Sequence, residues 1–453
     1  MELDEFIAPA ILAAKKEGAQ EVEVYAVSAH TWSAYADDSK VKSVEEKSDR
    51  GIAIRLLRDH RFGQSASMVS SVADAQACAR NAARVASLLP IESTFKSFPR
   101  PGKPGVWARC SDENIRGTEN RELAQLMASV IGATVEPGKV KVPNGVLRAG
   151  HVQARVVNSN GIDVCRDSTL VYLRVSAMTE GANPGEGAET FFSTRINELD
   201  PTAIGKRLNQ KAKSSAKAEG YKGKMQASVI IPPGDLAELF AGSVSFALSM
   251  ENVNRKRSPW AGKLRQSVGS KLVSFTDDPT DERGVLSSPF DDEGVPTRRK
   301  ELVKDGILAG FINDAYNAYK SEAPMTGNGV RRGPMEVVGQ WQIPVSIAPL
   351  NMVMRKGSQS VDEMVSSVDE GILVDSFASP DVHPITGAFG LEVRCGHLIH
   401  NGSLTRTVKH CLITGNMFEA LQKVRSVGSD VTTSLNYVLP SVCFDDLELI
   451  GSQ

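Results

Sequence analysis

Hydrophobic positions change period several times along the chain, and each change marks an element. Phe6, Ile7, Ala10, Ile11 and Ala14 recur at helical spacing, which predicts a first helix over residues 3–17. Val22, Val24 and Ala26 alternate as a strand does. Ile52, Ile54 and Leu56 alternate up to Arg58-Asp59-His60-Arg61, and FGQSAS returns from there as the second arm of a hairpin. An Ala-rich helix is expected over 72–88, ended by Pro90. The Pro/Gly-rich stretch 94–118 reads as an ordered surface loop. A helix near 120–134 precedes two strands, VQARVVNSNG and STLVYLRVSA, with a turn at Asn158–Gly161. TEGANPGEGAET (179–190) reads as a small, acidic, mobile segment beside a cleft, and a basic helix over 201–219 leads to YKGKM.

The second half opens with the strand QASVIIPPG. The helix expected over 235–257 starts with Asp235 at its N-cap and Glu238 three residues on, a capping-box spacing. Leu236, Leu239, Phe240, Val244, Ala247 and Leu248 form its apolar face. Beyond residue 270 strands dominate: PTRRKELVKDGILAGFI, GQWQIPVSIAP and HLIHNGSLTRTVKHCLITG. Asp305-Gly306 and Asn401-Gly402 are the hairpin turns among them. A last helix over 416–427 is expected to be capped by Asn416 and to stop at Gly428. Strands and helices alternate without a regular βαβ rhythm, so the fold class is α+β. Two domains are expected, an N-terminal α+β domain over 1–220 and a strand-rich α+β domain over 221–453. The length of 453 residues exceeds what one core usually serves.

Composition narrows the function. With a net charge of −2 there is no field for holding nucleic acid. The start is amphipathic and acidic rather than a signal peptide, and no apolar run is long enough to span a bilayer. Six scattered cysteines without a CxxC pair suit reduced thiols, so a soluble cytoplasmic protein is expected.

Candidate chemistry is sparse. In Cys395-Gly-His397-Leu-Ile-His400, a strand would set Cys395 and His397 on one face and His400 on the other, so these three cannot converge on a metal without a bulge. Asp291-Asp292-Glu293-Gly294 could offer oxygen ligands or an acid–base carboxylate; its plainer reading is a turn with exposed acids, neutralised by Arg298-Arg299-Lys300. The glycine turns around Asn328 and Asn416 lack a phosphate-cradling pattern. There is no GxSxG and no HExxH. The middle of the 235–257 helix, AGSVSF, offers no ligand, nucleophile or base at all.

Five collinear segments carry a resemblance: PFDDEGVPTRRKELVKDGILAGFINDAYNAYK with PMTGNGVRR (289–332), NVNRKRSPWAGKL (252–264), HPITGAFGLEVRCGHLIHNG (383–402), LITGNMFEALQKVRSVGSDV (412–431) and DDSKVKSVEEKSDRGIAIRLLRDHRFGQSAS (37–67). Together they resemble the TldD/TldE (PmbA) family, peptidases once labelled modulators of DNA gyrase. The resemblance implies a zinc metallopeptidase scaffold, with HExxxH in TldD-type chains on the helix before the NRK-like segment. Set against that motif, the two histidine positions fall on Ala241 and Phe246 and the glutamate on Gly242. The late TldD-type cysteine ligand in a GTCG-like segment has no counterpart in SDVTTSLNYVLPSVCF. The chain is thus similar to the TldE type, a subunit without zinc of its own. It is expected to form a heterodimer with a zinc-bearing TldD-type subunit, and the complex to act on unfolded or modified peptides. Homodimer formation in isolation stays open. Asn254, Arg255, Lys256, Asp291, Asp292, Glu293, Arg298 and Asn328 are the candidate substrate-channel or motif residues, with no catalytic residue of its own. Two other readings remain: a stand-alone hydrolase using Asp291, Asp292 and Glu293 with Cys395 and His397, and a regulatory binding protein without a protease partner.

Overall fold

Two sheets organise the chain in the computed structural model, which describes residues 3–181 and 183–451. The first is seven-stranded and antiparallel. Its order runs Arg61–Met68, Lys40–Arg58, Glu21–Asp37, Asn144–Asn158, Asp163–Thr179, and the last strand also pairs Val140–Lys141 and Glu186–Ser193. The hairpin turn at Asp59-His60 has positive φ at both residues (50° and 57°), the twist-matched geometry for a two-residue connection. Helices Asp4–Lys16 and Val72–Leu88 pack on one end of this sheet, and Asn120–Thr134 with Pro201–Ala216 cover the other.

The second sheet has twelve strands, from Glu219–Gly220 to Tyr437–Ile450, and mixes parallel with antiparallel pairs. Five of its strands close into a ring of pairings: Tyr437–Ile450, Lys224–Ile231, Glu370–Phe377, Ala388–His400 and Cys411–Asn416. Closure removes exposed edges there and fixes side chains on the ring rigidly. The apolar face expected on the helix after Pro232 packs onto this half. Leu236, Leu239, Phe240, Val244, Ala247 and Leu248 are all fully buried in its core. Mixed sheets with packed helices and a strand-rich C-terminal half make the fold α+β. Among the described residues no helix is long and apolar enough to cross a membrane. All six cysteines are free.

Four segments depart from the periodicity reading. Residues 186–193 are a strand, and Gly185 and Gly187 are small because the helix Pro201–Ala216 lies against them: a Cβ on Gly185 would meet the Ala216 nitrogen at 2.1 Å. Ala182, within the segment read as mobile, lies outside the described residues. GQWQIPVSIAP is not one strand. Trp341 sits in a 3-10 turn, Gln340–Gln342, where it packs over Gly51 and donates its indole N–H to Asp49 Oδ2 at 2.9 Å. Asn416 does cap a helix, accepting from the Phe418 and Glu419 amides, but that helix ends at Ala420, and Val424–Ser434 is a strand on Tyr437–Ile450 because β-branched Val424 and Val427 pair there.

The helix of 235–257 is the fourth. It begins at Pro233, since proline pre-sets the first-turn geometry, so Asp235 lies inside the first turn and caps nothing. It is an α-helix only to Phe240. Ala241–Ser245 is a π turn, Phe246–Leu248 resumes α, and Ser249 breaks it before Met250–Asn254.

Candidate functional site

The π turn decides what the AGSVSF stretch can do. Residues five apart in an α-helix point about 140° away from one another, at 3.6 residues per turn. In a π turn, with its i→i+5 bonding, they stack on one side. Positions 241 and 246 are five apart, and Ala241, Gly242, Ser245 and Phe246 are the accessible members of the segment while Ser243, Val244, Ala247 and Leu248 are buried. The backbone therefore presents the three positions set against HExxxH together, on the open face.

The side chains there do not fit a zinc ion. A methyl, a hydrogen and a phenyl group offer no lone pair. A Cβ on Gly242 would stand 3.0 Å from Val382 Cγ1, so even a short side chain needs room made for it. Arg257 lies over the Phe246 ring, 5.8 Å from its centroid, held by a 2.8 Å bond from Nη2 to Asn252 Oδ1. A fixed guanidinium beside the place further opposes a divalent cation. Behind the turn, Ser245 Oγ and the buried Tyr437 hydroxyl are 2.5 Å apart.

The other candidates separate into surface and interior. Arg255 and Lys256 are exposed, Arg255 pairing with Glu251 at 2.9 Å, and Arg298 is exposed too. Asn254 is half-buried and bonds Asn317 at 3.0 Å and Ser321 at 2.9 Å. Asp291, Asp292 and Glu293 correct the reading as exposed acids: each is at most 2% exposed. Asp291 accepts from the amides of Glu293, Val295 and Gly329 at 2.8–3.0 Å; burial and the neighbouring Glu293 still push it well above the usual carboxylate range. Asp292 accepts from the Arg331 amide at 2.8 Å and pairs with Arg332. Glu293 accepts from the Ala315 amide at 2.7 Å and from Arg55 at 2.9 Å, and Arg55 also forks onto Glu23 at 2.8 Å through both carboxylate oxygens. The neutralising cations are Arg55 on Glu293 and Arg332 with Arg166 on Asp292, not 298–300: Arg299 and Lys300 serve Asp278 and Asp277. Asn328, fully buried, donates to Asp277 Oδ2 at 2.7 Å. These acids form a buried hub that ties the segment 289–332 to the first sheet through Arg55. They make no hydrogen bond or ion pair with Cys395 or His397, so the constellation the stand-alone hydrolase needs does not form.

Cys395 and His397 do share a face, and His400, paired with Glu370 at the strand end, does not join them. Their partner is a residue that periodicity and motif spacing do not single out. Asp375 Oδ2 lies 2.9 Å from His397 Nε2 and 3.3 Å from Cys395 Sγ. The Asp375 hydrogen bond raises the His397 pKa, and burial, then Asp375, lifts the Cys395 thiol to about 12. Asp375, like Glu23 and Arg55, is a charged residue inside an apolar strand run (GILVDSF). That is the signal that could have found all three.

Fold and site together define an α+β chain whose helix over the closed strand ring presents Ala241, Gly242 and Phe246, none of them with a ligand atom, on its open face. Residues 223–451 match the model of the PmbA/TldA metallopeptidase C-terminal domain, 22–86 that of domain 1 and 113–216 that of the central domain. The chain belongs to this PmbA/TldD family. An uncharacterised protein of Methanocaldococcus jannaschii is 27% identical over 95% of this chain and 96% of its own. A metalloprotease TldD homologue of Haemophilus influenzae is 24% identical over 86% of this chain and 82% of its own. Among solved structures, TldE from Thermococcus kodakarensis superposes with a TM-score of 0.90 at 23% identity, over 98% of this chain and all of that one, a likeness of fold.

Proposed function

We propose that the chain is the non-catalytic, TldE-like subunit of a zinc peptidase, a cytoplasmic protein that pairs with a TldD-type subunit bearing HExxxH and contributes walls and access to a chamber for unfolded or modified peptides. The observation that carries the reading is the π turn Ala241–Ser245: a backbone suited to an i,i+5 ligand pair, with Ala241, Gly242 and Phe246 in place of ligands and Arg257 stacked on the last. The zinc belongs to the partner, and this chain needs none at that position. Extended peptide suits such a chamber, held by strand addition to a sheet edge. Co-purification from the native cell tests the pairing. A TldD-type protein recovered at near-equal amount supports it, and recovery of this chain alone, from cells that make such a protein, contradicts it.

A further inference from the structure

We propose that Asp375, Cys395 and His397 form a binding site for one zinc-class divalent cation, separate from the helix positions 241, 242 and 246. Among the described residues these three side chains are the group whose ligand atoms, one oxygen, one sulfur and one nitrogen, all lie within 4.8 Å of one another. The strands build it. Glu370–Phe377 and Ala388–His400 pair antiparallel with Leu373 opposite His397 and Val374 opposite Gly396, and the register then slips, so that Ser376 is opposite Cys395. Asp375 is the extra residue of that bulge, and bulges re-aim side chains. It sets the Asp375 carboxylate against two residues of the facing strand at once.

The separations suit coordination. With Zn–N and Zn–O bonds of about 2.0–2.1 Å and Zn–S of about 2.3 Å, tetrahedral geometry needs N···O and S···O distances of about 3.3–3.6 Å. The present distances of 2.9 and 3.3 Å reach that range by shifts of a few tenths of an ångström. A thiolate, an imidazole and a carboxylate are a borderline-soft set that favours zinc over magnesium or calcium. Cys395 is 2% exposed, whereas the His397 and Asp375 side chains are 23% and 25% exposed, so the open side admits water as a fourth ligand.

An outer shell is present too. Thr407, opposite His397 on the next strand, places its hydroxyl 3.2 Å from Nδ1. In the neutral tautomer that donates Nε2–H to Asp375, that hydroxyl donates to Nδ1. With metal on Nε2 the imidazole proton moves to Nδ1 and is donated to Thr407 Oγ1, the partner a metal-bound histidine needs. Coordination takes the thiol proton from Cys395 to solvent, and thiolate plus carboxylate balance the 2+ charge. The nearby cation, Lys211, is held by Glu189 at 2.7 Å.

The test uses the full chain, stripped with a chelator and titrated with cobalt(II), then zinc(II). One equivalent of cobalt, a thiolate-to-cobalt charge-transfer band in the near ultraviolet and its displacement by zinc are expected. C395S should abolish the band, H397Q and D375N should weaken binding at least tenfold, and H400Q should change neither. No stoichiometric uptake, or no thiolate band, in the unsubstituted chain overturns the proposal, as does uptake indifferent to C395S and H397Q in variants whose circular dichroism is unchanged. The unsubstituted chain is decisive by itself, so a variant that fails to fold does not alter the outcome. None of these readouts is peptidase activity, so their failure is distinct from failure of the subunit reading.

Discussion

Arg55 holds two buried carboxylates from opposite halves of the chain, Glu23 through a two-point fork and Glu293 through a single bond. Removing one member of a buried ionic group leaves the others charged and uncompensated, which costs far more than the group contributes over an apolar replacement. R55A should therefore lose about 3–5 kcal/mol of stability in urea denaturation; a loss near that of an exposed arginine would contradict the hub. Asp235 gives a residue-level pH dependence. Burial first, then Glu238, pushes its carboxyl up to about 7, against a weaker opposing pull from Lys211. A folded-state pKa above the unfolded one means its contribution is complete below the unfolded value of 3.8, shrinks as pH rises and is gone above about 7. Over that window D235N should flatten the decline in thermal midpoint that the unsubstituted chain shows. Parallel curves for the two would rule out the assignment.

At the scale of elements, the π turn Ala241–Ser245 makes its own prediction. In an H397Q background, A241H/F246H should bind nickel or zinc at least tenfold more tightly than A241H/S245H, about 1.4 kcal/mol. A regular α-helix would reverse the order. Legibility also divides at this scale. Helix Val72–Leu88, the Asp59-His60 hairpin and the buried face Leu236–Leu248 followed from periodicity, because each is decided by local pattern and burial. The π turn did not, since its apolar residues fit an α face nearly as well. Nor did the strand at Val424, whose state is chosen by its partner Phe444. Glu23 and Arg55 drew no reading, and Asp291–Glu293 read as exposed acids, because the meeting of Arg55 with Glu293 depends on a contact across more than 200 positions. The absence of ligands at 241, 242 and 246 was legible outright; the Asp375 carboxylate beside Cys395 and His397 was not, because a bulge between strands creates it.

For the whole molecule, the seven-stranded sheet is tied to the second half of the chain through the segment 293–341, by Trp341 on Gly51 and Arg55 on Glu293. If the complex admits peptide as an added strand, it should cleave extended peptides faster than helical or proline-rich ones of equal composition, and equal rates would remove strand addition from the account. The most direct measurement of where the chemistry resides is casein cleavage by this chain alone, by a TldD-type chain with HExxxH, and by an equimolar mixture with and without chelator. No cleavage is expected from this chain alone, and chelator-sensitive cleavage from the mixture. Cleavage by this chain alone at a rate comparable to the mixture would contradict the non-catalytic role.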